Sequence, residues 1–178
     1  MKARKINGLL CLLVVLLAVF SGCSSQQKVK DVSLQEIFDA VKNAYGDTYL
    51  PDSEIPEELL NTEFPLDSSL VEEIKGEMPM VSFHPDRVVV VKTKEGKGED
   101  VEKALNEIKE NIIENSLQYP ANLAKVKSSQ VVRHGDYVVF LLVGGINDNI
   151  DASEEDALKF AQDETAKAVA AVNKLFES

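Results

Sequence analysis

A chain of 178 residues with 30 Asp+Glu against 19 Lys+Arg carries a formal net charge of −11 at pH 7. That charge opposes binding to nucleic acid and to anionic lipid headgroups, since like charges repel across the interface. Both cysteines, Cys11 and Cys23, fall in the first 23 residues, so the remainder holds no disulfide, no thiolate metal site and no cysteine nucleophile.

Lys2, Arg4 and Lys5 open the chain. Ile6 to Phe20 is an apolar run broken only by Asn7 and Gly8, and Ser21-Gly22-Cys23 follows. A basic start, an apolar stretch of about 7–15 residues and a small-residue cleavage site are the parts of a secretory signal. The pattern resembles the lipobox of bacterial lipoproteins, with Phe20 where Leu is usual. Cleavage is expected between Gly22 and Cys23. Before that cleavage the Cys23 sulfur, nucleophilic as a thiolate, takes a diacylglyceryl group with palmitate-like chains as a thioether. Two acyl chains anchor stably where one does not. Two other readings compete: an ordinary secretory signal with an incidental cysteine, and a membrane span, which needs about 20 apolar residues. Residues 1–22 hold three bases and no acid, so the mature chain keeps 19 − 3 = 16 Lys+Arg against 30 Asp+Glu, a net of −14. Residues 23–31 form the lipidated tether. Residues 32–178 form one domain, a size that buries about 68–70% of its unfolded surface.

Ser33-Leu-Gln-Glu36 is a capping box, and Leu34, Ile37, Phe38 and Val41 follow at helical spacing. This predicts a helix to about Tyr45, ended by Gly46. Pro51, Pro56 and Pro65 break the next stretch into loops around a short helix at Glu57–Asn61. Ser69-Leu-Val-Glu72 looks like a second capping box and predicts a short helix to about Lys75. Arg87–Lys92 is an unbroken β-branched run, expected as a buried strand. Val101, Leu105, Ile108 and Ile112 mark a helix over about Glu99–Ser116, ended by Tyr119-Pro120. Gln130–Arg133 and Tyr137–Val143 flank His134-Gly135-Asp136 and predict a hairpin. Gly144–Asp151 is a loop, and Ser153 caps a long last helix. In that helix Leu158, Ala161, Thr165, Ala168, Val172 and Leu175 form a seam, expected to pack on the domain's own sheet rather than as a coiled coil. The fold class is α+β, with a small sheet of about three strands, helices packed on it and a long C-terminal helix.

Met78-Pro-Met-Val-Ser82 before the valine-rich strand, Gln118-Tyr-Pro120 after the following helix, and Gly135-Asp-Tyr-Val138 leading to Gly144 resemble domain-of-unknown-function family 4358. The resemblance spans about Val32 to Phe176. It implies a small lipoprotein of a Gram-positive, mainly clostridial, host, held on the outer face of the cytoplasmic membrane. It brings no catalytic residues with it.

The only histidines stand in two like triplets, His84-Pro85-Asp86 and His134-Gly135-Asp136. Imidazole and carboxylate suit zinc or similar ions, so His84, Asp86, His134 and Asp136 are weak metal candidates. Turn chemistry before strands explains both triplets more simply. Antiparallel neighbouring strands would put the triplets at opposite ends and remove the metal reading. Asn147 to Glu155 alternates like a calcium loop, but Ala152 and Leu158 stand where an EF-hand needs Gly and Glu. There is no Gly-x-Ser-x-Gly or His-Glu-x-x-His, and no catalytic residue is assigned. The expected function is a membrane-tethered, non-catalytic domain that binds an envelope protein or ligand. It has no cofactor beyond the lipid on Cys23 and no nucleic-acid partner. The alternatives are a small-ligand or metal-binding accessory protein, and an envelope hydrolase using His84 or His134 as base. Tyr49, Leu50, Ile55, Leu59, Leu60 and Phe64 form a candidate contact surface, against the preferred alternative that they cover the core beneath a loop.

Overall fold

The computed structural model describes residues 29–81, 84–115, 117–145, 147–149 and 151–177. The secretory signal, the Gly22–Cys23 junction and most of the tether therefore lie outside the described residues.

Helix α1 spans Leu34–Tyr45, and both arms of its capping box form between Ser33 and Glu36. Gly46, at φ 55°, stops it in a conformation that costs glycine little. Strand β1 is only Ser53–Glu54, and α2 spans Glu57–Glu63. Strand β2 covers Val71–Met78, β3 Arg87–Thr93, and α3 Gly98–Asn115. Helix α4 is Pro120–Lys127, β4 is Gln130–His134, β5 is Tyr137–Leu142, and α5 is Glu154–Glu177. Among the described residues, no helix is long and apolar enough to cross a membrane.

The architecture is α+β, and the sheet has five strands rather than three, in the order β1-β2-β3-β5-β4, antiparallel throughout. Two strands escape the sequence reading for different reasons. β1 is two residues long and has no periodicity to detect. β2 replaces the helix expected from Ser69 to Lys75, because pairing with the valines of β3 outweighs the local cap. A bulge between Val71 and Glu73 breaks the alternation that would have announced β2. Asp67 instead holds the turn into β2, its carboxylate accepting from the Ser69 amide at 2.8 Å. A Cβ at Gly76 within β2 would meet Ile55 Cδ1 at 2.7 Å, so a larger residue there must displace Ile55.

β3 and β5 are buried on both faces, which explains their uninterrupted apolar runs. Val88, Val90, Val139 and Leu141 face a core closed by α1 and by Ala168 and Val172 of α5. Val89, Val91, Val138 and Phe140 face a second core closed by α2, α3 and α4. The small residues of the α5 seam thus pack inside the protein. The hairpin turns at Gly135, φ 59°, and its register sets His134 opposite Tyr137.

Two ends of the sheet differ. At the turn end, the described chain begins: the Val32 amide donates to the Tyr137 hydroxyl at 3.3 Å, and that hydroxyl donates to Asp31 at 2.6 Å. At the other end, β3 begins, β5 stops, and α3 hands over to α4.

Candidate functional site

Asp86 closes the approach to β3 and is fully buried, at 0% exposure. Proline at the first position of α4 has its φ preset for a helix and no amide to orphan. The helix it starts carries Lys125 inward, to 6% exposure, where Nζ pairs with the Asp86 carboxylate. Beyond this ion pair, neither Asp86 carboxylate oxygen nor Lys125 Nζ has a hydrogen-bonding partner among the described residues. Burial holds the Asp86 carboxyl above its ordinary range, with Lys125 opposing. Desolvation is the larger effect because a carboxylate leaving water loses more than one contact returns.

Around this pair lies a polar end to an otherwise apolar interior. The hydroxyls of Ser128 and Thr165 stand 2.9 Å apart, and Thr165 Oγ1 donates to the Ala161 carbonyl at 3.0 Å. Tyr45 donates to the Glu164 carbonyl at 2.7 Å, and Tyr49 to Glu77 at 2.6 Å. Burial pushes both phenols up, which keeps them protonated as donors, and pushes Glu77 up as well.

His84 sits over the pair, half-buried. Its Nδ1 lies 3.5 Å from Asp86 Oδ1 and accepts from the Asp86 amide at 3.3 Å. Arg87 is clamped to Glu63 by two bonds, 2.8 Å from Nε and 3.1 Å from Nη2. It also donates to the His84 and Asp86 carbonyls. His84, Arg87, Gln118 and Asn111 line a cleft of about 330 Å³ between α2, α3 and the start of β3. A second cleft of about 460 Å³ shares Thr62, Glu63, Asn111 and Ile112 with it, making one groove that continues along α3 past Glu107. The segments leading into the groove expose large apolar side chains. Met80 is 82% exposed, Val81 68%, Leu117 101%, Tyr119 68% and Leu123 38%.

Burial lowers His84 from its ordinary 6.5, with the Asp86 charge opposing and Lys125 and Arg87 adding to the fall. A depressed imidazole pKa stabilises the fold above the unfolded value and withdraws that contribution as pH drops below it. The protein should therefore lose stability from about pH 6.5 downward, and His84→Gln should flatten part of that loss. Urea titrations at stepped pH check this; an unchanged slope would mean His84 titrates alike folded and unfolded. Asp86, raised by burial, acts in the opposite sense at lower pH, and the substitution leaves that part in place.

The two His-x-Asp triplets do not converge. Arg87 pairs with Leu142 and Lys92 with Tyr137, so they lie at opposite ends of the β3–β5 ladder, about 17 Å apart at roughly 3.4 Å per residue. At the turn end His134 is bonded to Asn173 at 2.9 Å and stacked on Phe176 at 4.5 Å, and Asp136 accepts from the Gly96 amide. No group of three His, Cys, Asp or Glu side chains fit to hold a metal occurs among the described residues. The metal reading of His84, Asp86, His134 and Asp136 is thereby overturned, and the turn reading explains His134 and Asp136.

Of the two readings of the proline-broken stretch, the contact surface is overturned and the preferred one, a cover over the core, describes it. Tyr49, Ile55, Leu60 and Phe64 are buried, Phe64 lying edge-on to Phe140 at 5.1 Å. They are core beneath the proline-broken loop, while Leu50 remains partly exposed and Leu59 packs at the core's margin. The exposed apolar residues instead follow β2 and α3. Lys125 was unmarked in the sequence; Pro120, as a helix start rather than a stop, was the available clue.

A family model described as Domain of unknown function (DUF4358) matches residues 44–143. That stretch holds all five strands, the groove and the Asp86–Lys125 pair, and leaves most of α1 and all of α5 outside. No curated protein matches the chain, and no solved structure does.

Proposed function

The chain belongs to the DUF4358 family, a domain of unknown function, and we propose that it is a lipid-anchored binding domain on the extracytoplasmic face of the membrane. Cys23 carries the diacylglycerol and residues 24–31 the tether. The observation that carries the reading is the placement of the groove. Residues 29–32 dock at the turn end of the sheet, on Tyr137, while the groove opens at the other end. A tether rooted at one end holds the exposed apolar residues of the other away from the bilayer, toward a partner. Such residues supply binding energy when covered and weaken solubility when not.

The test has two arms. Cys23→Ser should abolish incorporation of an alkyne-tagged fatty acid and release the protein from the membrane fraction; retained labelling would sink the anchor. A photo-crosslinking amino acid at Tyr119 should give a defined adduct in intact cells, and one at Lys159, exposed on α5, should not. Adducts at both positions, or at neither, would remove the groove as the binding surface.

A second reading has one observation in its favour: His84, Arg87 and Gln118 meet in a cleft large enough for a small ligand. Under it, His84→Ala would abolish ligand protection against thermal unfolding while leaving the Tyr119 adduct intact.

A further inference from the structure

We infer that the groove end docks a basic polypeptide segment whose apolar side chains cover Leu117, Tyr119 and Leu123, a deepening that rests on the tethered-binding reading above. Apolar contact alone names no partner, but the charges beside it do. Three cations by the groove are paired within the protein, and Lys127, one turn beyond Leu123 on α4, is exposed and in no ion pair among the described residues. Arg87 is clamped to Glu63, Lys109 lies 3.4 Å from Glu110, and Lys103 lies 4.0 Å from Glu107. Glu57 and Glu58 on α2 and Glu114 on α3 have no cationic partner among the described residues, and all three are exposed. The surplus charge around the apolar rim is negative, and it belongs to a chain whose net charge is −11.

Three classes of occupant are distinguished by this charge. An anionic bilayer is repelled, and the tether is rooted at the other end of the sheet. A second copy of the chain brings the same acids to the same place and is repelled in turn. A segment carrying Lys or Arg among apolar residues gains on both counts: its cations meet Glu57, Glu58 and Glu114, and its apolar side chains cover Tyr119 and its neighbours. Tyrosine suits the centre of such a contact because it offers a large area for few rotatable bonds. Complementary charge would speed encounter and make affinity salt-dependent.

The test uses the acylated, mature protein in phosphatidylcholine nanodiscs and a fluorescent 18-residue amphipathic Lys/Leu peptide as probe, with a Glu/Leu peptide as its counterpart. The Lys/Leu peptide should bind and weaken about tenfold between low and high salt; the Glu/Leu peptide should not bind. Joint Leu117→Ser and Tyr119→Ser, at positions that support no core, should weaken binding at least about tenfold. Joint Glu57→Gln, Glu58→Gln and Glu114→Gln should do so by a similar factor. Neutralising Glu154, Glu155 and Asp156, which begin α5 on the other face of the sheet, should change it less than about twofold. Equal weakening by both sets of acids, or unweakened binding after loss of Leu117 and Tyr119, would show diffuse charge attraction and overturn the inference. No peptide binding with the Tyr119 adduct intact would remove the basic partner and leave the tethered-binding reading standing. Loss of both would remove the two together.

Discussion

Replacing Lys125 by Met should cost the fold about 3–5 kcal/mol, because it strands a buried carboxylate without its counter-ion. Asp86 is fully buried; besides Lys125 it feels only half-buried His84, whose imidazole burial biases toward the neutral form, and Arg87, which is already clamped to Glu63. The size of the effect comes from desolvation rather than from the strength of the lost pair, and that difference is testable. Adding Asp86→Asn to Lys125→Met removes the stranded charge and should recover a large part of the loss. The double variant should therefore unfold later in urea than the single one. A second signature follows from pH. Without Lys125, burial acts on Asp86 with less opposition, so its carboxyl rises further above the unfolded value. A raised carboxyl pKa favours the folded state at low pH and penalises it as pH rises through the folded value. The gap between wild type and Lys125→Met should accordingly narrow on acidification from about pH 7 toward 4. A cost below about 1 kcal/mol, insensitive to pH, would mean that the pair is hydrated.

Phe64→Ala should be comparably severe, at about 3–5 kcal/mol. The ring is 1% exposed, meets Phe140 edge-on, and closes the second core from the α2 side. Its removal leaves a cavity bounded by β5, which cannot collapse because β5 is fixed on both sides by β3 and β4. Leu50→Ser, in the same acidic, proline-broken stretch, should change stability by no more than about 0.5 kcal/mol, since Leu50 is 38% exposed. Thermal melts of the two variants separate core from surface within fifteen residues of chain. Equal effects would mean that the loop does not order Phe64 as described.

Much of the architecture was legible because some segments combine periodicity with punctuation. Ser33 and Gly46 bracket α1, and each does so by a local interaction that needs no tertiary help. The Val-rich runs of β3 and β5 betray burial on both faces before any partner is known. The hairpin is announced by Gly135. What failed did so where distant contacts overrode local preference. The Ser69–Glu72 box is sound as a helix start, yet β3 offers Val71–Met78 a ladder of backbone bonds and wins. Pro120 stops α3 and starts α4 in the same place, and only the second half of that statement carries Lys125 to Asp86. The candidate site was less legible for the same reason. Asp86 attracted notice beside His84, but the partner that fixes its chemistry lies 39 positions later in the chain. The apolar run around Phe64 left a surface open as the lesser reading because acids and prolines surround it, whereas the exposed residues, Met80 and Leu117 among them, sit in segments with no apolar pattern at all.

The burial of β3 and β5 on both faces has a consequence for the order in which the molecule can assemble. Val88, Val90, Val139 and Leu141 are covered by α1 from one end of the chain and α5 from the other. Until α5 arrives, half of the sheet's interior is wet, and the gain from burying it cannot yet offset the entropy of ordering five strands. Residues 154–177 are the last described element, so a polypeptide emerging amino-terminus first stays pliable until that helix has emerged. A chain of this design locks only when its final helix arrives, and that helix acts as the latch.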